Sequence, residues 1–186
     1  MDKRVKGFKP IMKRYKIVGR SSTISNAFAQ ALAPSDEFSD EKLIAAFTSI
    51  GLLGDDGLEC AYCGNSAAQV DHLNPLVKDS KFTGWGHVLG NLVPACNSCN
   101  QSKGGKPWRE FASQVGVDPL RIELIERYES LAPEPISQDM LREMYPDLVE
   151  AYERMRVLSI EMLRAAQHLA NEIHSLESAR KTGLGD

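Results

Sequence analysis

Two cysteine pairs constrain this chain more than any other feature. Cys60-Ala-Tyr-Cys63 and Cys96-Asn-Ser-Cys99 are C-x2-C knuckles with 32 residues between the inner cysteines. Each knuckle turns two thiolates toward one point, and two knuckles complete a tetrahedral S4 set for zinc. A set of four thiolates leaves no open position, so this zinc is expected to be structural. The bland alternative is four reduced cysteines packed as small apolar residues. Gly64 after the first knuckle and the polar Asn97-Ser98 filling of the second argue against it. A metal staple also suits the short intervening stretch, which has few apolar residues of its own.

Charge is unevenly distributed. The 186 residues carry a net −3. Residues 1–20 hold eight Lys/Arg against Asp2, a local +7. Residues 72–109 hold Lys78, Lys81, Lys103, Lys106 and Arg109 against Asp79, while 110–186 hold eight basic and fifteen acidic residues. Two positive regions on an otherwise acidic chain favour a polyanionic partner. Apolar residues at 42 % and charged residues at 25 % exclude fibrous and fully disordered classes. No run of about 18 apolar residues spans a membrane. No apolar run follows the basic start to make a signal peptide. The expected address is the cytoplasm, where cysteines favour metal over disulfides.

Four segments are expected. Residues 1–20 read as a basic arm interrupted by Gly7, Pro10 and Gly19. Residues 21–56 read as helical: a helix near Ser21–Ala33 ended by Pro34, then one N-capped by Ser39 over Asp40–Ile50. Its apolar face is Leu43, Ile44, Phe47 and Ile50. Residues 57–112 hold both knuckles, with strand-like pieces at Ala68–Leu73 and Asn91–Ala95 and a short helix at Asn97–Lys103 stopped by Gly104. Residues 113–186 return to helix. One segment spans 118–131, using Leu120, Leu124, Ile125 and Tyr128. Another begins after Ser137. A long one opens at Pro146 and is roughly 50 Å long at about 1.5 Å per residue. Its apolar stripe packs within the chain or against a second copy as a homodimer.

Chemistry-bearing residues lie between the knuckles. Val70-Asp71-His72-Leu73-Asn74-Pro75 reads as a strand running into a turn. The Asp71 carboxylate and the Asn100 amide oxygen are hard donors for an ion of the Mg2+ type, and His72 is a general base beside them. Neighbours on a flat strand face opposite ways, so Asp71 and His72 serve one site only if the strand ends and bends there.

The motifs CAYCG, DHLNPL and NLVPACNSCNQSKGGK together resemble the HNH endonucleases, in the variant bounded by two cysteine knuckles. The resemblance covers about residues 57–112. It implies an α+β fold: a small ββα-metal core stapled by zinc, flanked by helical segments. The three motif positions correspond to His72, Asn91 and Asn100. The third is Asn here where the family name has His, which favours Mg2+ or Mn2+ over zinc. By resemblance, Asp71 and Asn100 hold the catalytic ion, and His72 takes a proton from water. Asn91 ties down the loop that aims His72. The implied reaction is DNA phosphodiester hydrolysis to 5′-phosphate and 3′-hydroxyl ends, in a restriction, defence, phage or mobile-element setting.

Lys103, Lys106 and Arg109 are expected to neutralise backbone phosphates of double-stranded DNA. His87, in the loop before the second strand, is a further candidate contact to phosphate or ion. Two alternatives stay open: a zinc-stabilised module that binds nucleic acid without cutting, and an RNase or toxin nuclease.

Overall fold

The computed structural model describes residues 15–181. The expected basic arm falls largely on residues 1–14, which lie outside the described residues. A 3-10 turn at Ile17–Arg20 leads into α1 (Ser21–Gln30), and α2 follows at Asp40–Ser49. Ser39 caps α2, its hydroxyl accepting from the Lys42 N–H at 3.3 Å. A two-residue hairpin, β1 (Leu53–Gly54) and β2 (Gly57–Leu58), delivers the chain to the first knuckle. Then come β3 (Gln69–His72), the hairpin β4 (Val77–Lys78) and β5 (Lys81–Phe82), β6 (Leu92–Ala95) and α3 (Asn97–Lys103). The remaining helices are α4 (Trp108–Val115), α5 (Pro119–Glu129), α6 (Gln138–Met144) and α7 (Pro146–Lys181).

The described residues divide into two compact units. Residues up to Ser25 together with those from Glu150 onward form one, and Asn26–Val149 form the other. In the first, the Ile17 N–H donates to the Gln167 side chain at 2.7 Å. Along α7 a row of apolar residues stays exposed: Leu148, Met155, Met162, Leu169 and Leu176. They recur every seventh residue, one of the two apolar positions of a coiled-coil heptad.

The second unit is organised around β3 and β6, which pair antiparallel with Asp71 opposite Val93 and His72 opposite Leu92. Behind them sits one apolar cluster, including Phe47 and Ile50 near the end of α2, Leu73 and Val93 from the sheet region, Trp108 and Phe111 from α4, and Ile125 and Tyr128 from α5. Much of the core therefore comes from outside the segment that carries the motifs. Burial of Ile125 and Tyr128 follows the expected amphipathic face of α5, but Leu120 lies exposed. Leu120 lies in the first turn of the helix, where the Asp118 carboxylate accepts from its N–H and from that of Arg121. The α4 helix and both short hairpins are additions to the expected elements. Each is too short for its periodicity to stand out from sequence.

Candidate active site

The two knuckles meet. Among the described residues, one ligand atom from each of Cys60, Cys63, Cys96 and Cys99 lies within 4.8 Å of the others. Cys63 Sγ and Cys96 Sγ are 3.7 Å apart. Four sulfurs about a zinc at 2.3 Å would stand about 3.8 Å from one another, so the set fits that ion. Backbone bonds build the approach. Gly64 N–H closes on the Cys60 carbonyl at 3.0 Å, and Ala61 N–H donates to the Pro94 carbonyl at 2.9 Å. The second bond joins the first knuckle to β6, and β6 runs straight into the second. Cys96 also caps α3, its sulfur accepting from the Cys99 N–H. Contacts with the Ser98 hydroxyl and the Cys99 N–H bring the Cys96 thiol down to about 6, while burial pushes Cys63 and Cys99 up.

At the far end of the sheet, β3 stops at His72. There Asp71 is buried and its strand neighbour His72 half-buried. Both nevertheless line one cleft of about 220 Å³, with His87, Lys103 and the α1 side chains Asn26 and Gln30. The strand end permits this. Leu73 N–H still pairs with the Asn91 carbonyl at 2.8 Å, and the chain then turns away through Asn74 and Pro75.

Asn91 holds that turn. It is fully buried. Its Oδ1 accepts from the Asn74 N–H at 2.8 Å, and its Nδ2 donates to the carbonyls of Asn74 at 3.2 Å and Gly86 at 3.0 Å. One side chain thus joins the loop after His72 to the loop that carries His87. A second clamp comes from α5, which sequence reasoning missed. Glu129 Oε1 accepts from Asn74 Nδ2 at 2.7 Å and from Trp108 Nε1 at 3.1 Å, and Tyr128 OH donates to the Leu92 carbonyl at 2.6 Å. The apolar face of α5 announces the burial of Tyr128 but not these polar contacts, which span 21 to 55 residues of chain.

The expected donors for the catalytic ion have other partners. Asp71 Oδ2 accepts from Tyr62 OH at 2.7 Å, and Oδ1 accepts from the His72 N–H at 2.8 Å. The Lys103 ammonium lies 3.2 Å from both carboxylate oxygens. Asn100 instead donates to the Gln69 side chain at 2.7 Å, one helical turn from Lys103. Asp71 is thus buried among Tyr62, the His72 N–H and Lys103, and Asn100 bonds Gln69.

Two of the expected phosphate contacts are also placed differently. Lys103 is buried, with its side chain 1 % exposed, and its Nζ also donates to the His72 carbonyl at 2.6 Å. Its position on α3 turns it inward to meet the buried Asp71 carboxylate, so it is not a surface cation. Arg109 stacks on Trp108 at 4.6 Å and pairs with Glu129 at 2.6 Å and Glu126 at 3.5 Å, which offset its charge. Lys106 bonds neutral acceptors, the Ser102 carbonyl and the Gln114 amide. His87 lies at the site itself, its Nδ1 3.0 Å from His72 Nε2. Burial, then His87, with a smaller effect of Lys103, lower the His72 pKa against the opposing pull of Asp71.

The sequence model of the HNH endonuclease family matches residues 60–106. The chain is similar to a CRISPR-associated endonuclease Cas9 of Corynebacterium diphtheriae, 25 % identical over 126 residues, covering 63 % of this chain and 11 % of that protein. It is similar to the same enzyme of Actinomyces naeslundii at 26 % over 129 residues, with the same coverage. The chain thus spans about a tenth of the length of the curated relatives it matches. No solved structure matches. Among the described residues no helix is long and apolar enough to cross a membrane. With both knuckles, the β3–β6 pair and α3 all inside the matched span, residues 60–106 carry a domain of the HNH endonuclease family.

Proposed function

We propose that this chain is an endonuclease that hydrolyses phosphodiester bonds in double-stranded DNA, with His72 as the base that takes a proton from the attacking water. The observation that carries the reading is His72 itself: half-buried at the end of β3, beside a cleft, with its loop tied by the fully buried Asn91. A base held by a buried amide keeps its aim without help from substrate. Its lowered pKa keeps the imidazole neutral, and so able to accept a proton, into mildly acidic solution. The names of both relatives, CRISPR-associated endonucleases, support the same class of activity.

The roles of the other residues follow from their contacts. Cys60, Cys63, Cys96 and Cys99 would hold zinc as a staple. Asn91 positions both loops of the cleft. Lys106, bonded only to neutral groups in its described contacts, offers its charge to a backbone phosphate. Dependence on Mg2+ or Mn2+ is what the family leads one to expect. Asp71 and Asn100 are the hard oxygen donors that would hold that ion, and the proton step assigned to this chain rests on His72. A homodimer, one of the two packings the stripe of the last helix allows, would use its exposed residues spaced seven apart.

Cleavage of supercoiled plasmid tests the reading. Wild type and His72→Ala are compared at equal zinc content in Mg2+, Mn2+ or EDTA, with an RNA of matched length alongside. Cutting of DNA that disappears in the variant supports the proposal. The pairing of Asp71 with Lys103 and Tyr62 is the one feature that favours a binding module instead. DNA binding that survives His72→Ala, with no cleavage in any metal, would establish that second reading.

A further inference from the structure

His87 Nδ1 stands 3.0 Å from His72 Nε2, with the two rings edge to face and their centroids 5.0 Å apart. One proton must lie between these nitrogens for the contact to be a hydrogen bond. With both rings neutral there are two arrangements. In the first, His72 Nε2–H donates to His87 Nδ1, so His72 keeps a lone pair on Nδ1. In the second, His87 Nδ1–H donates to His72 Nε2, and His72 carries its remaining proton on Nδ1 and has no free lone pair. The first puts both rings in the Nε2–H form, the intrinsically favoured tautomer of neutral histidine. The second puts both in the less favoured form. The partner on one ring nitrogen thus decides what the other can do.

The backbone around His87 is built to hold it there. His87 N–H donates to the Pro34 carbonyl at 2.8 Å, and Asp36 N–H donates to the His87 carbonyl at 3.2 Å, a parallel bridge to the segment before α2. Leu89 N–H is held by the Asp36 carboxylate at 2.7 Å. On the other side Asn91 Nδ2 grips the Gly86 carbonyl at 3.0 Å. The fit at Gly86 is close enough that a Cβ there would lie 2.1 Å from the Pro34 carbonyl oxygen. Residues 34–36 lie outside the 60–106 family match.

We propose that His87 is a positioning residue for His72, fixing it in the Nε2–H tautomer so that Nδ1 is the nitrogen that accepts the proton from water. The inference rests on the proposed function, and it changes the role expected for His87 from a DNA contact to a partner of the base. When His72 Nδ1 accepts the proton, the resulting imidazolium donates through Nε2 to the neutral His87, which spreads the new charge. The arrangement parallels the acid that orients the base in a catalytic triad, with an uncharged acceptor in its place.

The test has two independent readouts on the zinc-loaded full chain. The first is the ring nitrogen and ring proton shifts of His72 by 15N NMR, at a pH where both rings are neutral and with no DNA present. Wild type is expected to show His72 in the Nε2–H form. His87→Ala should show a mixture of tautomers. His87→Asn, whose Oδ1 can replace the Nδ1 acceptor, should restore the Nε2–H form. A wild-type His72 in the Nδ1–H form would overturn the proposal even if the protein never cuts DNA. The second readout is plasmid cleavage. His87→Ala should lower kcat on the order of 10–100-fold with KM nearly unchanged, and His87→Asn should recover most of it. A raised KM with kcat unchanged would overturn the proposal in favour of a phosphate contact.

Discussion

Removing the buried ammonium of Lys103 tests the centre of the site. Its Nζ meets both oxygens of Asp71 at 3.2 Å and the His72 carbonyl at 2.6 Å, with side chains 1 % and 7 % exposed. Lys103→Met keeps the aliphatic length and leaves Asp71 buried without its counter-charge. The Tyr62 hydroxyl and the His72 N–H still solvate the carboxylate, so the loss falls at the usual cost of breaking a buried pair, about 3–5 kcal/mol. Asp71→Asn strands the ammonium at similar cost. The double variant removes both charges, so the cycle should show a coupling of at least about 2 kcal/mol. Urea unfolding under saturating zinc reads each value. With m of roughly 1–3 kcal/mol/M, either single change should lower the midpoint by about 1 M or more. Single costs below about 1 kcal/mol, or strictly additive values, would show that Lys103 is not paired inside the protein. The same variant should leave the salt dependence of DNA binding unchanged, since a buried lysine releases no counterions.

Other consequences can be checked directly. Because the His72 pKa is lowered, its neutral form persists below about pH 6.5, so the acid limb of kcat/KM should lie below that value. By linkage the unfolded chain takes that proton first as pH falls, so this group's contribution to stability declines as pH drops through about 6.5 and further toward the folded value. Zinc chelation should unfold the 26–149 unit, since zinc sites of this kind carry roughly 10–16 kcal/mol of binding energy; circular dichroism with metal titration reads it, and retained ellipticity would show that the knuckles only pack. Glu129→Ala, which releases Asn74 and Trp108 together, should cost about 2–4 kcal/mol and slow cleavage with little change in DNA affinity. Met162→Glu in the exposed seam should shift light-scattering mass from dimer to monomer if a second copy binds there; a wild type that is already monomeric at high concentration would remove the homodimer.

Local signals in the sequence determined a good deal. Spacing alone assembled the four cysteines, because two residues between thiolates is the span one tetrahedral ion requires. Cap chemistry placed the helix starts at Ser39, Ser137 and Pro146, since each serine hydroxyl accepts from an orphaned backbone N–H of the first turn and proline has none to orphan. The motif residues His72 and Asn91 lie at the end of β3 and against the turn that follows it. The tertiary structure decided matters that depend on residues far apart. It turned Lys103 inward onto Asp71, because a buried carboxylate needs a counter-charge and α3 carries the lysine past it. It set His87 against His72 through the Pro34–Asp36 bridge and the grip of Asn91 on Gly86. It also placed Glu129 behind the base. Periodicity reports which face of an element is buried, but not which partner across the fold that face will meet, and here those partners surround Asp71 and position His72.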